Sequence, residues 1–396
     1  MKINEITPGV HYVGVNDRTT ELCEGLWLLP LGVSYNAYLI LGDKHTALID
    51  SVDASRYAEL QDKLDALLGN RSLDYIVVNH MEQDHSGSLP MLKMRYPDVT
   101  YVGNAKTAGM LEGYFGLTDN VKTVADGDTI NLGGKTLRFH LTPMLHWPET
   151  MMTYLVEDRI LFSGDAFGCF GALNGAVVDK DMNTGMYWME MHRYYSSIVA
   201  KYGIPVKNAL KKLDGVPLDY ICSTHGPVWH DEIAKVVGTY SDLAQWNAQP
   251  GVVIAYASMH GNNTLMAECI AEELAQNGVK NIILQDLNNS NLSYVLMNIG
   301  RLNGLVIGGP TYNTEIHPRV AALLSALKTC GMQNRTVGLF GSYTWSPGVT
   351  KKMAAALEGL KINLLEPIEY KQHIHEADIQ QARDMAQQIA QAIMDE

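Results

Sequence analysis

The chain is poor in cysteine, in positive charge and in long apolar runs, and each shortage excludes something. Its five cysteines, Cys23, Cys169, Cys222, Cys269 and Cys330, lie far apart with no C-x-x-C pair. That excludes a zinc knuckle or a redox dithiol and points to reduced, buried thiols of a cytoplasmic protein. Lysine and arginine number 30 against 43 acidic residues, a formal charge of -13, so a basic face for nucleic acid would have to be built against the protein's own field. No nucleic-acid partner is expected. The most apolar early stretch, "LWLLPLGV", is short and broken by Pro30, and no basic segment feeds a long apolar run; neither a signal peptide nor a membrane span is expected. With 46% hydrophobic and 18% charged residues over 396 positions, the composition is that of a globular chain of two or three domains.

Residues 1–249 mix strand and helix signals. Apolar runs at 37–42, 46–50, 75–78, 137–142, 159–163 and 219–223 read as strands, with helices at about 55–69, 105–114 and 187–213. Several of these strands run straight into polar clusters, which places a functional surface at the strand ends. After a helical stretch near 231–247, Pro250-Gly251 punctuates the chain, and from 250 to 396 strand and helix alternate regularly. Strands at 252–258, 281–287, 304–309, 336–341 and 361–366, with helices at about 264–277, 292–300, 316–329, 347–359 and 376–394, make a doubly wound five-stranded parallel sheet that binds its ligand outside the carboxyl ends of the strands.

The stretch "NHMEQDH" (79–85) collects His80, Glu82, Asp84 and His85 in one turn after a strand. Imidazoles and carboxylates are poor core formers and good ligands for a divalent first-row metal. Three further strand ends add His146 in "TPMLHWPET", Asp165 in "FSGDAFG" and His225 in "STHGPVW". This ordered set resembles the metallo-β-lactamase fold, an αβ/βα sandwich with metals between strand-end loops. Hydrolytic zinc members carry H-x-H-x-D-H, whereas this chain has H-x-E-x-D-H, with Glu82 as a hard anionic ligand that shifts preference towards iron.

In the second half, "ASMHGNNTLMAE" is a short polar loop running into a helix, able to offer N–H groups to a phosphate from Ser258, Met259, His260, Gly261, Asn262, Asn263 and Thr264. "GGPTYNT" brings Pro310, Thr311, Tyr312 and Asn313, and "GSYTWSPG" brings Ser342, Tyr343, Thr344 and Trp345. Both loops follow strands beside the topological switch point and combine glycine with aromatics able to pack on a flat ring, the place where flavodoxin-like folds hold FMN.

Taken together, H-x-E-x-D-H, "HWPE", "SGD" and "STHG", followed by "SMHGN", "PTYN" and "GSYTWS", resemble the flavodiiron proteins (A-type flavoproteins) over essentially the whole chain. The resemblance implies a non-haem diiron site with His80, Glu82 and His146 on one iron, Asp84 and His225 on the other, and Asp165 bridging; His85 is expected near the site and off the metal. It implies FMN-fed reduction of dioxygen to water, nitric oxide to nitrous oxide, or both, with dioxygen favoured here. An alternative is a dedicated nitric oxide reductase, and a remoter one is a metallohydrolase with a flavodoxin-like appendage. It further implies a head-to-tail homodimer, or a dimer of such dimers, and a separate electron donor such as a rubredoxin or a reduced deazaflavin, since the sequence carries no C-x-x-C segment of its own. Tyr194 and Tyr195 in "MHRYYSSI" are candidate donors to a bound diatomic molecule, with Tyr195 the expected catalytic one, and Trp147 a candidate cavity wall. The chain departs from the family pattern at Asn263, Thr344 and Pro347, where hydroxyl or small residues are usual, so phosphate and ring contacts are expected to differ in detail.

Overall fold

Runs of β-branched and aromatic residues set the strands, and the polar residues that end them set the loops. The computed structural model describes residues 3–394, which divide into two compact units: residues 3–194 with 202–241, and residues 195–201 with 242–394.

The first unit holds two sheets. The larger is seven-stranded, in the order Asn4–Thr7, Val10–Tyr12, Tyr38–Leu41, Thr46–Ile49, Tyr75–Val77, Thr100–Gly103, Val121–Thr123. It is antiparallel as far as Thr46–Ile49 and parallel beyond. The smaller has Thr129–Asn131, Thr136–Leu141, Met151–Leu155, Ile160–Gly164 and Tyr220–Ser223, with only the last pair parallel. Leu39, Ile40, Leu48, Ile49, Ile76 and Val77 of the first sheet and Leu137, Phe139, Leu155, Ile160 and Leu161 of the second are fully buried, each such side chain contributing about 1.5–3 kcal/mol. The parallel strands end on one side, and their loops carry the polar clusters.

The helix expected over 187–213 is two. Gly185–Tyr194 ends in a widened turn at Tyr195–Val199, and a new helix runs Gly203–Leu213. Pro205 is the cause: its missing N–H is tolerated in a first turn and disruptive in a helix interior.

The second unit is the expected doubly wound sheet, in the order Ile282–Asp286, Gln249–Tyr256, Leu302–Tyr312, Gln333–Tyr343, Lys361–Leu364, all parallel. The fifth strand resumes as Ile368–Lys371 after Pro367, which cannot donate to the ladder. A two-residue turn at Asn313 and Thr314, both at positive φ, returns the third strand into the short Glu315–Ile316. Helices Asn262–Gln276 and Glu376–Met394 pack Met266, Ile270, Leu274, Met385 and Ile389 into its core. Among the described residues no helix is long and apolar enough to cross a membrane.

Candidate metal centre and flavin cleft

Asn79, just past the strand Tyr75–Val77, anchors the turn that follows. Its backbone N–H and side-chain amide donate to Asp50 (2.7 and 2.9 Å), and its side-chain oxygen accepts from Thr153 Oγ1 of the smaller sheet (2.7 Å). Burial pushes the Asp50 carboxyl up to about 6, against the pull of His85 and of the Asn79 bonds. The chain then presents His80, Glu82, Asp84 and His85 from one side. The loops after Thr136–Leu141, Ile160–Gly164 and Tyr220–Ser223 bring His146, Asp165 and His225 to meet them.

These seven side chains form two groups. Ligating atoms of His80, Glu82, His146 and Asp165 lie within 4.8 Å of one another, as do those of Asp84, His85 and His225. In the first, His80 Nε2 is 3.2 Å from Glu82 Oε2, and His146 Nε2 is 3.0 Å from Asp165 Oδ2 and 3.5 Å from Glu82 Oε2. In the second, Asp84 Oδ2 stands 3.1 Å from His85 Nε2 and 3.3 Å from His225 Nε2. Asp165 faces both: its Oδ1 is 3.0 Å from His85 Nε2 and accepts from Thr224 Oγ1 at 2.5 Å. His85 therefore sits among the ligating atoms, closer in than its expected place beside the site.

Each group has a residue that fixes an imidazole. Glu149 Oε1 lies 2.8 Å from His80 Nδ1 and accepts from the Met81 N–H (2.9 Å). His225 Nδ1 lies 2.8 Å from the Ser34 carbonyl oxygen, which can only accept, so Nδ1 carries a proton and Nε2 is the nitrogen left to face a metal. Sequence reasoning missed both Glu149 and Ser34. The "HWPE" spacing was the signal for Glu149, and nothing local signals Ser34.

Of the two adjacent tyrosines, Tyr194 makes the contact, its hydroxyl donating to Asp165 Oδ2 at 2.9 Å. Tyr195, the expected catalytic one, begins the widened turn and falls in the other unit. Consecutive helical residues point about 100° apart, so only one of the pair can face a given site. Trp147 packs edge-on to His80, ring centroids 5.2 Å apart.

Burial alone would keep His80 neutral, but Asp165, Glu149 and Glu82 outweigh it and push the imidazole up to about 10. Burial likewise opposes ionisation of Asp165, and the facing His85 and His80 hold it well below the usual carboxylate range. A field that binds protons this firmly draws divalent cations in the same way. Asp84 Oδ1 is buried with no hydrogen-bond partner among the described residues, a cost that a metal ion would relieve. Two sets of nitrogen and oxygen donors sharing one carboxylate fit a pair of first-row metal ions. A cavity reaches the second group, lined by Glu82, Asp84 and His225 together with Leu29, Tyr35 and Phe170.

In the second unit the expected flavin loops form one cleft. Ser258, Met259, His260, Asn262, Asn263, Pro310, Thr311, Asn313, Ser342, Tyr343, Thr344 and Trp345 line it, and so do Thr314, Ser346 and Gln372, which sequence reasoning did not name. Gly261 and Tyr312 are outside the lining. Gly261 caps the helix Asn262–Gln276 at φ 89°, and Tyr312 is turned to His317, ring centroids 5.6 Å apart. That helix starts without a side-chain cap, leaving its first N–H groups for an anion. Thr311 Oγ1 is buried with no partner among the described residues, and Trp345, 82% exposed, supplies a free aromatic face. Asn263 turns its oxygen to the Tyr370 hydroxyl (3.0 Å), so that departure from the family pattern serves the fold. The cleft fits a phosphate attached to a flat ring.

Comparison with known proteins finds a family match for each half of the chain. The family model described as ODP family beta lactamase matches residues 33–226, and that for flavodoxin matches residues 254–393. The rubredoxin-oxygen oxidoreductase of Megalodesulfovibrio gigas is 32% identical over 99% of this chain and 98% of its own. The anaerobic nitric oxide reductase flavorubredoxin of Salmonella arizonae is 32% identical over 98% of this chain and 82% of its own. Among solved structures, the rubredoxin oxygen:oxidoreductase of Desulfovibrio gigas superposes with a TM-score of 0.95 at 31% identity, covering 100% of this chain and 99% of that one. The flavodiiron protein of Giardia intestinalis gives 0.95 at 25% identity, covering 100% and 97%.

Proposed function

The chain belongs to the flavodiiron proteins, and from that premise we propose that it takes dioxygen to water, nitric oxide to nitrous oxide, or both, with dioxygen preferred. The observation that carries this is Asp165, one carboxylate presenting Oδ2 to His146 and Oδ1 to His85, each at 3.0 Å. His80, Glu82 and His146 would hold one iron and Asp84, His85 and His225 the other, with Asp165 facing both groups. When bound, two ferrous ions and reduced FMN supply four electrons, the number that takes one dioxygen and four protons to two waters.

The protein's part is to hold and screen. His80 and His225 point Nε2 inward because Glu149 and Ser34 take the other nitrogen. Glu82 supplies the hard oxygen that favours iron over zinc. Tyr194 O–H steadies Asp165 Oδ2, and Leu29, Tyr35 and Phe170 line the cavity that reaches the second group. FMN would take the cleft of the second unit, where the uncapped helix Asn262–Gln276 offers N–H groups to a phosphate and Tyr343 and Trp345 offer aromatic surface to a ring.

We read the working form as a head-to-tail homodimer of cytoplasmic chains in which the flavin of one copy serves the irons of its partner. The family resemblance supports this, and so do the exposed Leu22, Leu26 and Leu28 near the metal cavity and Met259 and Trp345 at the flavin cleft, apolar surfaces a partner would cover. The donor is a separate rubredoxin, as the name of the Megalodesulfovibrio relative suggests, or a reduced deazaflavin. For protein grown in iron-sufficient medium, elemental and flavin analysis should return two irons and one FMN per chain. A zinc-only protein that hydrolyses thioesters would overturn the proposal.

A further inference from the structure

His225 is held from behind by a short segment that belongs to neither main sheet. The strand Val33–Tyr35 pairs with Val15–Asp17 in a separate two-stranded ribbon and bridges from Val33 to Gly171, and it and the next residue grip the loop that carries His225. Asn36 donates its backbone N–H to the Thr224 carbonyl (2.7 Å) and its side-chain amide to the carbonyls of Ser223 (2.9 Å) and Gly226 (2.8 Å), while its Oδ1 accepts from the Tyr12 hydroxyl (2.9 Å). Ser34 accepts the His225 Nδ1 proton at its carbonyl and the Gly226 N–H at its hydroxyl (2.8 and 2.7 Å). Both residues are fully buried, so every one of these groups is satisfied by protein. Glycine makes the approach possible. A Cβ on Gly14 would lie 2.6 Å from Asn36 Cα, and one on Gly226 would lie 2.2 Å from Cys169 Sγ.

We propose that Ser34 and Asn36 are positioning residues for His225, fixing its tautomer and aim, and that they determine occupancy of the metal position formed by Asp84, His85 and His225 without acting on the other. The asymmetry follows from the backing. His80 leans on Glu149, whereas the second position has only this neutral clamp, and His85 Nδ1 is buried with no partner among the described residues. An outer hydrogen-bond partner of a ligating histidine is worth about 10–100-fold in metal affinity.

The inference rests on reading the seven side chains as two metal positions, and cobalt(II) binding to the full-length apoprotein with its FMN retained separates the two ideas. Wild type should take up two cobalt ions per chain; fewer would count against the two-metal reading itself. Asn36→Ala, folded by circular dichroism, should keep one tight cobalt and bind the second at least about tenfold more weakly. Ser34→Ala, which removes one hydroxyl and leaves the carbonyl, should speed release of the second cobalt to a chelator and leave the first unchanged. It decides the matter if Asn36→Ala does not fold. Two cobalt ions released at wild-type rates from the folded variants, or equal weakening of both positions, overturns the proposal.

Discussion

Glu149 Oε1 lies 2.8 Å from His80 Nδ1, and the same oxygen accepts the Met81 N–H, which belongs to the peptide joining His80 to Met81. One buried carboxylate thus sets both the ring and the backbone of the first metal-facing residue. Burial resists its ionisation, but the His80 hydrogen bond and charge prevail and hold the carboxyl below its usual range. Glu149→Gln should weaken metal binding at the His80 position about 10–100-fold, read by chelator competition. Unaltered competition curves would mean the carboxylate is only a packing element.

Tyr194 reaches Asp165 with a single hydrogen bond, at 2.9 Å. Tyr194→Phe keeps the ring, which stacks edge-on to Phe170 at 5.1 Å, and removes only that bond to a charged acceptor. The cost should be about 1.5–3 kcal/mol in urea unfolding of the apoprotein. A variant as stable as wild type would show the contact to be neutral.

The polar clusters after strands 75–78, 159–163 and 219–223 are legible in the sequence because a strand exposes its end and buries its middle, so His80, Asp165 and His225 stand out against apolar runs. Glu149 is harder to see, since it contacts an imidazole and not the metal. Asn36 is invisible locally: the carbonyls its side-chain amide holds lie 187 and 190 residues away, and no periodicity reports such a separation. The choice between Tyr194 and Tyr195 turns on where a helix widens, a matter of tertiary packing that propensity does not specify. The short strands before residue 36 carry too few alternations to register as a period-2 signal.

Thr311 Oγ1, buried at the flavin cleft with no partner among the described residues, is a donor awaiting an acceptor. Thr311→Val preserves shape and removes that hydroxyl. FMN affinity should fall about tenfold, near 1.4 kcal/mol, in fluorescence titration of the flavin-free protein. Equal affinity in the two proteins would place the hydroxyl outside flavin recognition.

Asp17 accepts from Arg56 Nη2 (2.5 Å) and from both Thr19 and Thr20. Burial would raise its carboxyl, but Arg56 and the two threonines outweigh it and depress it below the usual 3.8. A depressed carboxylate stabilises above its unfolded-state pKa, and that stabilisation disappears as pH falls through the lower folded value. The Asp17→Asn variant should therefore be less stable than wild type by about 1.5–3 kcal/mol near neutral pH. The gap should narrow as pH drops below about 4. Denaturant midpoints measured from pH 7 to pH 3 check this, and a gap that stays constant or widens in acid rules the linkage out.

The central claim, that two irons and a flavin here act together on a diatomic gas, is tested most directly by anaerobic rapid mixing of the fully reduced, FMN- and iron-loaded protein with dioxygen and then with nitric oxide, following the flavin absorbance and assaying hydrogen peroxide. The account predicts that both flavin and iron reoxidise with dioxygen, without peroxide accumulating and faster than with nitric oxide. Flavin that stays reduced under dioxygen, or peroxide released in step with the oxygen consumed, would contradict it.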